Sequence, residues 1–196
     1  MNKKQHIEKV NPLRTEREIQ EMLFAIERGN GAYPKRPELA ERDTLLFLFG
    51  INTGLRINDI LKLKVSDVSD RDSFTIYEGK THKKRTVNIS MLKFEIKNYV
   101  AGKSKHEYLF KSQRGDRNIS TVQAYRILQQ AGESIHRDDI GTHTMRKTFG
   151  YHHYKQFRDV AMLQEIFNHS APSITMRYIG ITEDEINKTL DNFRLG

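Results

Sequence analysis

A chain of 196 residues with 37% hydrophobic and 30% charged residues is long enough for one domain of ordinary size with a buried core. Its 33 Lys and Arg against 25 Asp and Glu give a formal charge of +8, which favours nucleic acid as a partner before an anionic membrane surface. The lack of cysteine excludes disulfides and thiolate sites, and the longest apolar run, residues 45–51, is too short to span a membrane. Without the apolar core of a signal peptide, a soluble, cytoplasmic protein is expected.

The first half of the chain predicts helices. Residues 1–10 form a basic lead-in without periodicity. Thr15 with Glu18 three places later is a capping-box arrangement, and the helix that follows it ends at Gly29. After a loop at 30–37, further helices are predicted at 38–53, which is apolar on most sides and should be buried, and at 57–63.

The apolar period then changes from 3.6 to 2. Residues 73–79 and 84–90 are predicted as two strands joined by the turn KTHK. A helix at 91–101 and a short strand at 108–110 follow, and the remaining helices are predicted at 119–134, 143–157, 159–167, 172–179 and 182–192. The expected fold class is therefore mainly α with a small antiparallel β-sheet (α+β).

The segment NTGLRINDILKL contains the first candidate site residues. Arg56 follows the Gly54-Leu55 turn near the start of a short helix, where free N–H groups and a guanidinium together would suit a phosphate. Asp59 lies three residues later on the same helix face, where its carboxylate could hold the guanidinium. The alternative is a surface ion pair that contributes little.

The segment THTMRKTF contains the second pair. His143 and Arg146 have i, i+3 spacing, so both side chains point to one side of a helix, for which Thr142 is a candidate N-cap. Such a pair could carry a proton and clamp a phosphate, or it could be a packed histidine beside an exposed arginine. Metal binding by the histidines is disfavoured, because no HxxxH or HExxH spacing is present.

Two further pieces have a functional and a structural interpretation. Lys80 lies at the hairpin turn, where it could reach into a site and donate a proton, or be one of several solvated basic residues. Tyr178 follows His169 by nine residues; its hydroxyl, with an ordinary pKa near 10, is a poor nucleophile unless a base and positive charge assist it. The structural alternative is a core tyrosine with its hydroxyl exposed.

The order of these pieces is more specific than any one of them. The motifs TGLRIND, the GK of the hairpin, HTMR, NHS and the RY of TMRYIG follow one another along the chain. In this order the sequence resembles the tyrosine recombinases of the phage integrase family, from about residue 11 to the C-terminus. The resemblance implies a catalytic domain over residues 11–196, mainly helical with a small sheet carrying the lysine, and no N-terminal core-binding domain.

The resemblance also implies a chemistry. Tyr178 would attack a DNA phosphate to form a 3′-phosphotyrosine and release a 5′-hydroxyl, while Arg56 and Arg146 bind the non-bridging oxygens. The guanidinium groups would then stabilise the charge that metal ions stabilise at other phosphoryl-transfer sites. No metal, cofactor or ATP is therefore implied, since the bond energy stays in the protein–DNA linkage.

The remaining site residues take their implied roles from the same family. Lys80 would be the general acid for the leaving oxygen, His143 a general acid/base, and His169 a hydrogen-bond donor to the phosphate. Asp59 would orient Arg56 and nearby groups. Asn168 stands where family members usually have glycine, and asparagine tolerates a left-handed backbone, so the turn should be kept.

The expected partners are double-stranded DNA and further copies of the chain. The implied function is site-specific DNA recombination or integration, in the cytoplasm of a bacterium or with a phage or other mobile element. The C-terminal helix is a candidate contact between protomers of a tetramer, although cis packing is equally compatible with the sequence. A non-catalytic DNA-binding module that competes with a full-length recombinase is the alternative function, and a type IB topoisomerase-like enzyme is a third.

Overall fold

The computed structural model describes residues 10–29, 36–79, 83–181, 190, 191, 193 and 194. Within these ranges the chain is mainly helical with one two-stranded antiparallel sheet, which confirms the predicted fold class. The helices are α1 (Glu16–Arg28), α2 (Pro37–Thr53), α3 (Ile57–Ile60), α4 (Val65–Val68), α5 (Lys93–Val100), α6 (Thr121–Ser134), α7 (Thr142–Phe157), α8 (Val160–Phe167) and α9 (Pro172–Ile179). The strands are β1 (Ser73–Tyr77) and β2 (Lys84–Asn88), and a 3-10 turn, Ser90–Leu92, precedes α5.

Helix α1 begins and ends, and helix α2 ends, at the signals that the sequence carries. The Thr15 hydroxyl accepts a hydrogen bond from the Glu18 N–H, and the Glu18 carboxylate accepts one from the Thr15 N–H, which is the predicted capping box. Gly29 ends α1, and Gly54, with φ of 61°, ends α2 in the left-handed conformation that glycine adopts without a steric cost. This last turn places Arg56 at the start of α3.

Helix α2 lies between the two larger parts of the hydrophobic core. Phe49 and its neighbours Leu45 and Leu46 pack into a core that also contains the sheet and α5. Phe47, on another side of α2, packs into a second core with α1, α6 and α7. A helix buried on two sides must be apolar on most of its surface, which explains the pattern seen in the sequence.

The sheet is a hairpin whose register pairs Phe74 with Val87 and Thr75 with Thr86. Phe74 and Val87 are buried whereas Thr75 is exposed, so one face of the hairpin packs on the core. The strand predicted at 108–110 is wrong: Tyr108 forms only an isolated bridge with Lys64. The two residues that follow it are fully buried, and their backbone groups bond loop segments instead of a strand.

Helix α7 joins the second core to a third, smaller one. A Cβ on Gly50 of α2 would collide with Met145, and one on Gly150 would collide with Phe167 and Ile179. These contacts show that α7 lies directly against α2 on one side and against α8 and α9 on the other. The close approach places α7 in contact with both α2 and α9.

Several expectations fall on the chain ends and the turn. The lead-in at 1–10 is described only at Val10, the helix predicted at 182–192 only at residues 190 and 191, and Lys80 lies outside the described residues. In the part of the chain that the structure describes, no helix is long and apolar enough to cross a membrane.

Candidate active site

Four of the residues singled out in the sequence line a cleft of about 650 Å³ between α3, the hairpin and the start of α7. Its lining includes Arg56, Asp59, Gly79, His143 and Arg146. These side chains come from segments up to 90 residues apart in the numbering, so the tertiary fold, and not local spacing, assembles the cleft.

Arg146 is the most deeply placed of these residues. Its guanidinium is buried and donates from Nη1 to the Gly54 carbonyl oxygen at 2.5 Å and from Nη2 to the Phe167 carbonyl oxygen at 2.9 Å. It also lies over the Phe167 ring, 4.3 Å from the centroid. Burial lowers the pKa of Arg146 to about 10, so the group remains charged at neutral pH and ties the end of α2 to the end of α8.

Helix α7 begins at Thr142, one residue earlier than the predicted start at residue 143. The N-cap is Gly141, whose N–H donates to the Thr144 hydroxyl at 3.0 Å, so the expectation of Thr142 as N-cap is wrong. The side chain that completes the cap belongs to Thr144, three residues after Gly141, and its hydroxyl accepts the hydrogen bond from the Gly141 N–H. The helix phase is unaffected, so His143 and Arg146 still point into one cleft.

The Tyr178 hydroxyl lies 3.1 Å from Nδ1 of His143. Helix α9 presents the tyrosine edge-on to Phe167 and His169, whose ring centroids are 5.5 Å and 5.2 Å away. Burial raises the pKa of Tyr178 above its ordinary value, although the charges of Arg146 and Arg56 act in the opposite direction. The hydroxyl is therefore protonated at neutral pH.

His169 is held by the segment between α8 and α9. Asn168 ends α8 with φ of 52°, so the asparagine does adopt the left-handed conformation for which glycine is usual. The next residue then turns back, and Nδ1 of His169 lies 3.0 Å from the hydroxyl of Thr175, which is fully buried. This contact orients the imidazole ring of His169.

Arg56 also lines the cleft, and its carboxylate partner differs from the expectation. Its Nη1 donates to Oε2 of Glu78 at 2.6 Å. Asp59, predicted to hold this guanidinium, instead accepts from the Gly79 N–H at 3.0 Å, and its other oxygen has no hydrogen-bond partner among the described residues. The i, i+3 spacing was a poor guide because Arg56 is the N-cap of α3 and has an extended backbone, so it does not share a helix face with Asp59.

Glu78 and Arg85 are the residues that the sequence analysis missed. Arg85 donates from Nη2 to the Thr53 carbonyl oxygen at 2.9 Å, and its Nη1 lies 3.7 Å from Oε1 of Glu78. The signal was present in the hairpin: strand alternation from Phe74 puts Glu78 on the core-facing side, with Arg85 on the same side of the other strand. Two charges at positions where alternation demands apolar residues indicate a site.

Comparison with known proteins gives the family. The model of the phage integrase family matches residues 14–185. The chain belongs to the phage integrase family. It is 49% identical over 176 residues to the probable integrase/recombinase YoeC of Bacillus subtilis, which covers 89% of this chain and 92% of that protein.

Longer members of the family match over part of their length. The tyrosine recombinase XerA of Pyrococcus furiosus is 28% identical over 186 residues, or 92% of this chain and 61% of XerA. The tyrosine recombinase XerD of Corynebacterium glutamicum is 31% identical over 87% of this chain and 57% of XerD. The chain thus spans about three fifths of these relatives.

Solved structures of phage integrase family proteins share the fold. The XerH recombinase in a post-cleavage complex with a palindromic difH substrate superposes with a TM-score of 0.71 at 21% identity, covering 92% of this chain and 52% of XerH. The catalytic domain of bacteriophage HP1 integrase superposes with a TM-score of 0.56 at 22% identity, covering 93% and 95%. The chain therefore has the fold of an integrase catalytic domain.

Three of the four histidines considered as metal ligands have polar contacts with other protein groups in this fold. His143 contacts Tyr178, His169 contacts Thr175, and His152 lies 3.0 Å from the Leu13 carbonyl oxygen. Among the described residues, no group of three or more His, Asp or Glu side chains is arranged to hold a metal ion.

Proposed function

We propose that this protein is a site-specific DNA recombinase or integrase that cleaves and rejoins DNA through a covalent link to Tyr178. The observation that carries the proposal is the contact of the Tyr178 hydroxyl with Nδ1 of His143, beside the buried charge of Arg146. A hydroxyl with a base on one side and guanidinium groups close by has what phosphoryl transfer to oxygen needs.

The two arginines form the proposed phosphate seat. Arg146 and Arg56 both line the cleft, and each is held by contacts of its own: Arg146 by two backbone carbonyls and Arg56 by Glu78. Guanidinium groups that are fixed before the substrate arrives need little reorganisation when charge develops on the non-bridging oxygens. Both planar forks suit the tetrahedral oxygens of a phosphodiester.

The proposed step exchanges one phosphorus–oxygen bond for another and moves two protons. The Tyr178 oxygen forms a bond to phosphorus as the bond from phosphorus to the 5′-oxygen breaks, which leaves a 3′-phosphotyrosine and a 5′-hydroxyl. His143 takes the tyrosine proton, and Nε2 of His169 donates to a non-bridging oxygen. We assign the proton of the leaving oxygen to Lys80, next to Gly79, whose N–H is fixed by Asp59.

The phosphotyrosine linkage conserves the free energy of the phosphodiester bond that was broken. A 5′-hydroxyl from a second DNA strand can therefore attack the phosphotyrosine and reverse the reaction. We therefore propose duplex DNA as the substrate, in the bacterial cytoplasm or in association with a phage or other mobile element. Exchange between two duplexes requires several active sites at once, and a tetramer joined through the C-terminal segment would supply them. The net charge of +8 favours DNA binding in low salt.

A trapping experiment tests this function. Nicked duplex DNA with a randomised core is incubated with the protein and denatured in SDS, because a nick next to the cleaved phosphate lets the short fragment with the 5′-hydroxyl diffuse away. We expect a covalent protein–DNA band that Tyr178→Phe abolishes while DNA affinity is kept. The matched control is Tyr151→Phe, the same change at a half-buried tyrosine of α7 outside the cleft.

The outcomes separate the two functions considered for the sequence. A band that survives Tyr178→Phe contradicts the assignment of the nucleophile. No band from wild-type protein that binds the same DNA in low salt supports the non-catalytic DNA-binding module instead, provided that a fusion to a core-binding domain is also inactive.

A further inference from the structure

We propose that Glu78 is a positioning residue of this active site: it holds the Arg56 guanidinium in its phosphate-binding orientation, and Arg85 holds Glu78. The inference rests on the proposed function, since it assigns the support of one of the two phosphate-binding groups. The carboxylate does not need to touch the substrate, and it acts through Arg56.

The first argument is the burial of the Glu78 carboxylate. Glu78 is only 3% exposed, and a buried carboxylate is costly unless charged or polar donors surround it. One oxygen accepts from Arg56 Nη1 at 2.6 Å and the other lies 3.7 Å from Arg85 Nη1. The two guanidinium groups thus share one carboxylate between them.

The second argument is that the backbone fixes Glu78 independently of Arg56. Its N–H donates to the Lys83 carbonyl oxygen at 3.0 Å, which continues the hairpin ladder beyond β1. Arg85 spans from the hairpin to the Thr53 carbonyl oxygen, at the end of α2 and three residues before Arg56. These hydrogen bonds fix the Glu78 carboxylate relative to the backbone before Arg56, so the carboxylate can orient the Arg56 side chain.

Positive charge accumulates around Arg146 in this part of the structure. Arg56 and Arg85 each lower the pKa of Arg146, and Glu78 acts against them. Three neighbouring guanidinium groups repel one another in the absence of DNA, and an exposed arginine would relieve this repulsion by turning into water. The contact with Glu78 keeps Arg56, of which only 20% is exposed, at the cleft.

A double-mutant cycle tests the inference. The rate of covalent adduct formation is measured in single turnovers at saturating nicked DNA for wild type, Glu78→Gln, Arg56→Ala and the double variant. Because a misplacement of about 1 Å costs on the order of 100-fold, we expect Glu78→Gln to slow adduct formation about 10- to 100-fold with DNA affinity nearly unchanged. In the Arg56→Ala background the same change should cost less than about 3-fold, since the residue through which it acts is gone.

The matched control is Asp72→Asn. This carboxylate lies just before β1 and pairs with Lys93 at 2.9 Å, but it is exposed and outside the cleft. It should leave the rate unchanged. Wild-type cleavage by Glu78→Gln, or an equal loss in both backgrounds, would overturn the positioning role, because a general defect in folding would multiply with the loss at Arg56.

A second readout does not depend on cleavage. In side-chain ¹⁵N NMR of DNA-free protein, the Nε–H signal of Arg56, assigned with Arg56→Lys, should be sharp in wild type and broadened in Glu78→Gln. Arg85→Lys should broaden it as well, and this variant replaces Glu78→Gln if that protein does not fold. An unchanged Arg56 signal in folded variants refutes the inference even if the protein cleaves no DNA, whereas absence of the Tyr178 adduct refutes the proposed function alone.

Discussion

Replacement of Arg146 by methionine should destabilise the folded protein as well as abolish cleavage. The side chain joins two separate segments through the Gly54 and Phe167 carbonyl oxygens, and methionine fills a similar volume while leaving both acceptors without this donor. Each hydrogen bond from a charged donor contributes roughly 1.5–3 kcal/mol. Burial of the guanidinium, which lowers its pKa to about 10, opposes part of that gain.

The net loss should therefore be about 3 kcal/mol in the free energy of unfolding. For a chain of this length that corresponds to a decrease of roughly 6–12 °C in Tm. Urea unfolding followed by circular dichroism, in the absence of DNA, measures the free energy of unfolding directly. Arg126→Met, at an exposed arginine of α6, is the control and should stay within about 0.5 kcal/mol of wild type.

The refuting result is an Arg146→Met protein as stable as wild type. The two carbonyl contacts would then contribute nothing net, and Arg146 would be held in place by its neighbours instead of holding them. Loss of cleavage at full stability would still fit a phosphate-binding role, so the stability measurement tests the structural role alone.

Three further predictions follow from other contacts. Asn168→Gly should keep the stability within about 0.5 kcal/mol, whereas Asn168→Ala should lose about 1 kcal/mol in thermal unfolding, because alanine is strained at a positive φ; equal Tm values would contradict this. The difference between the ultraviolet titration curves of wild type and Tyr178→Phe should show one tyrosine that ionises above pH 10, because burial raises its pKa. The contribution of this group to the free energy of unfolding should therefore fall as the pH rises past 10. Ionisation below pH 10 would contradict the effect of burial. Arg14 donates to the Gly180 carbonyl oxygen at 2.7 Å, just after the helix that carries the tyrosine, so Arg14→Gln should slow adduct formation severalfold at saturating DNA; an unchanged rate would show that α9 needs no such anchor.

Most of the described helices were predictable from the sequence because their signals are local, but the single-turn helix α4 was not predicted. The capping box at Thr15, the left-handed glycine at Gly54 and the apolar spacing of each helix act over three to seven residues. The same is true of the hairpin, whose alternation identified both strands. The strand predicted at 108–110 was wrong because a run of three apolar residues indicates burial but does not specify a partner strand.

The site was predictable only in part, for a related reason. The positions that face the cleft came from motifs in a known order, but the partner of Arg56 could not be found by spacing along one helix. Glu78 lies 22 residues from Arg56 in the chain, and only the register of the hairpin against α2 brings them to 2.6 Å. Contacts of this kind depend on the packing of separate elements, which local patterns do not encode.

The central claim is that Tyr178 is the nucleophile, and the most direct test identifies the residue that carries the DNA. Adduct trapped on nicked duplex is digested with nuclease and protease, and the modified peptide is sequenced by mass spectrometry. The account predicts a nucleotide attached through its 3′-phosphate to Tyr178, in the peptide that follows His169, and a 5′-hydroxyl on the released strand. A nucleotide on any other residue, or a link through a 5′-phosphate, would contradict it.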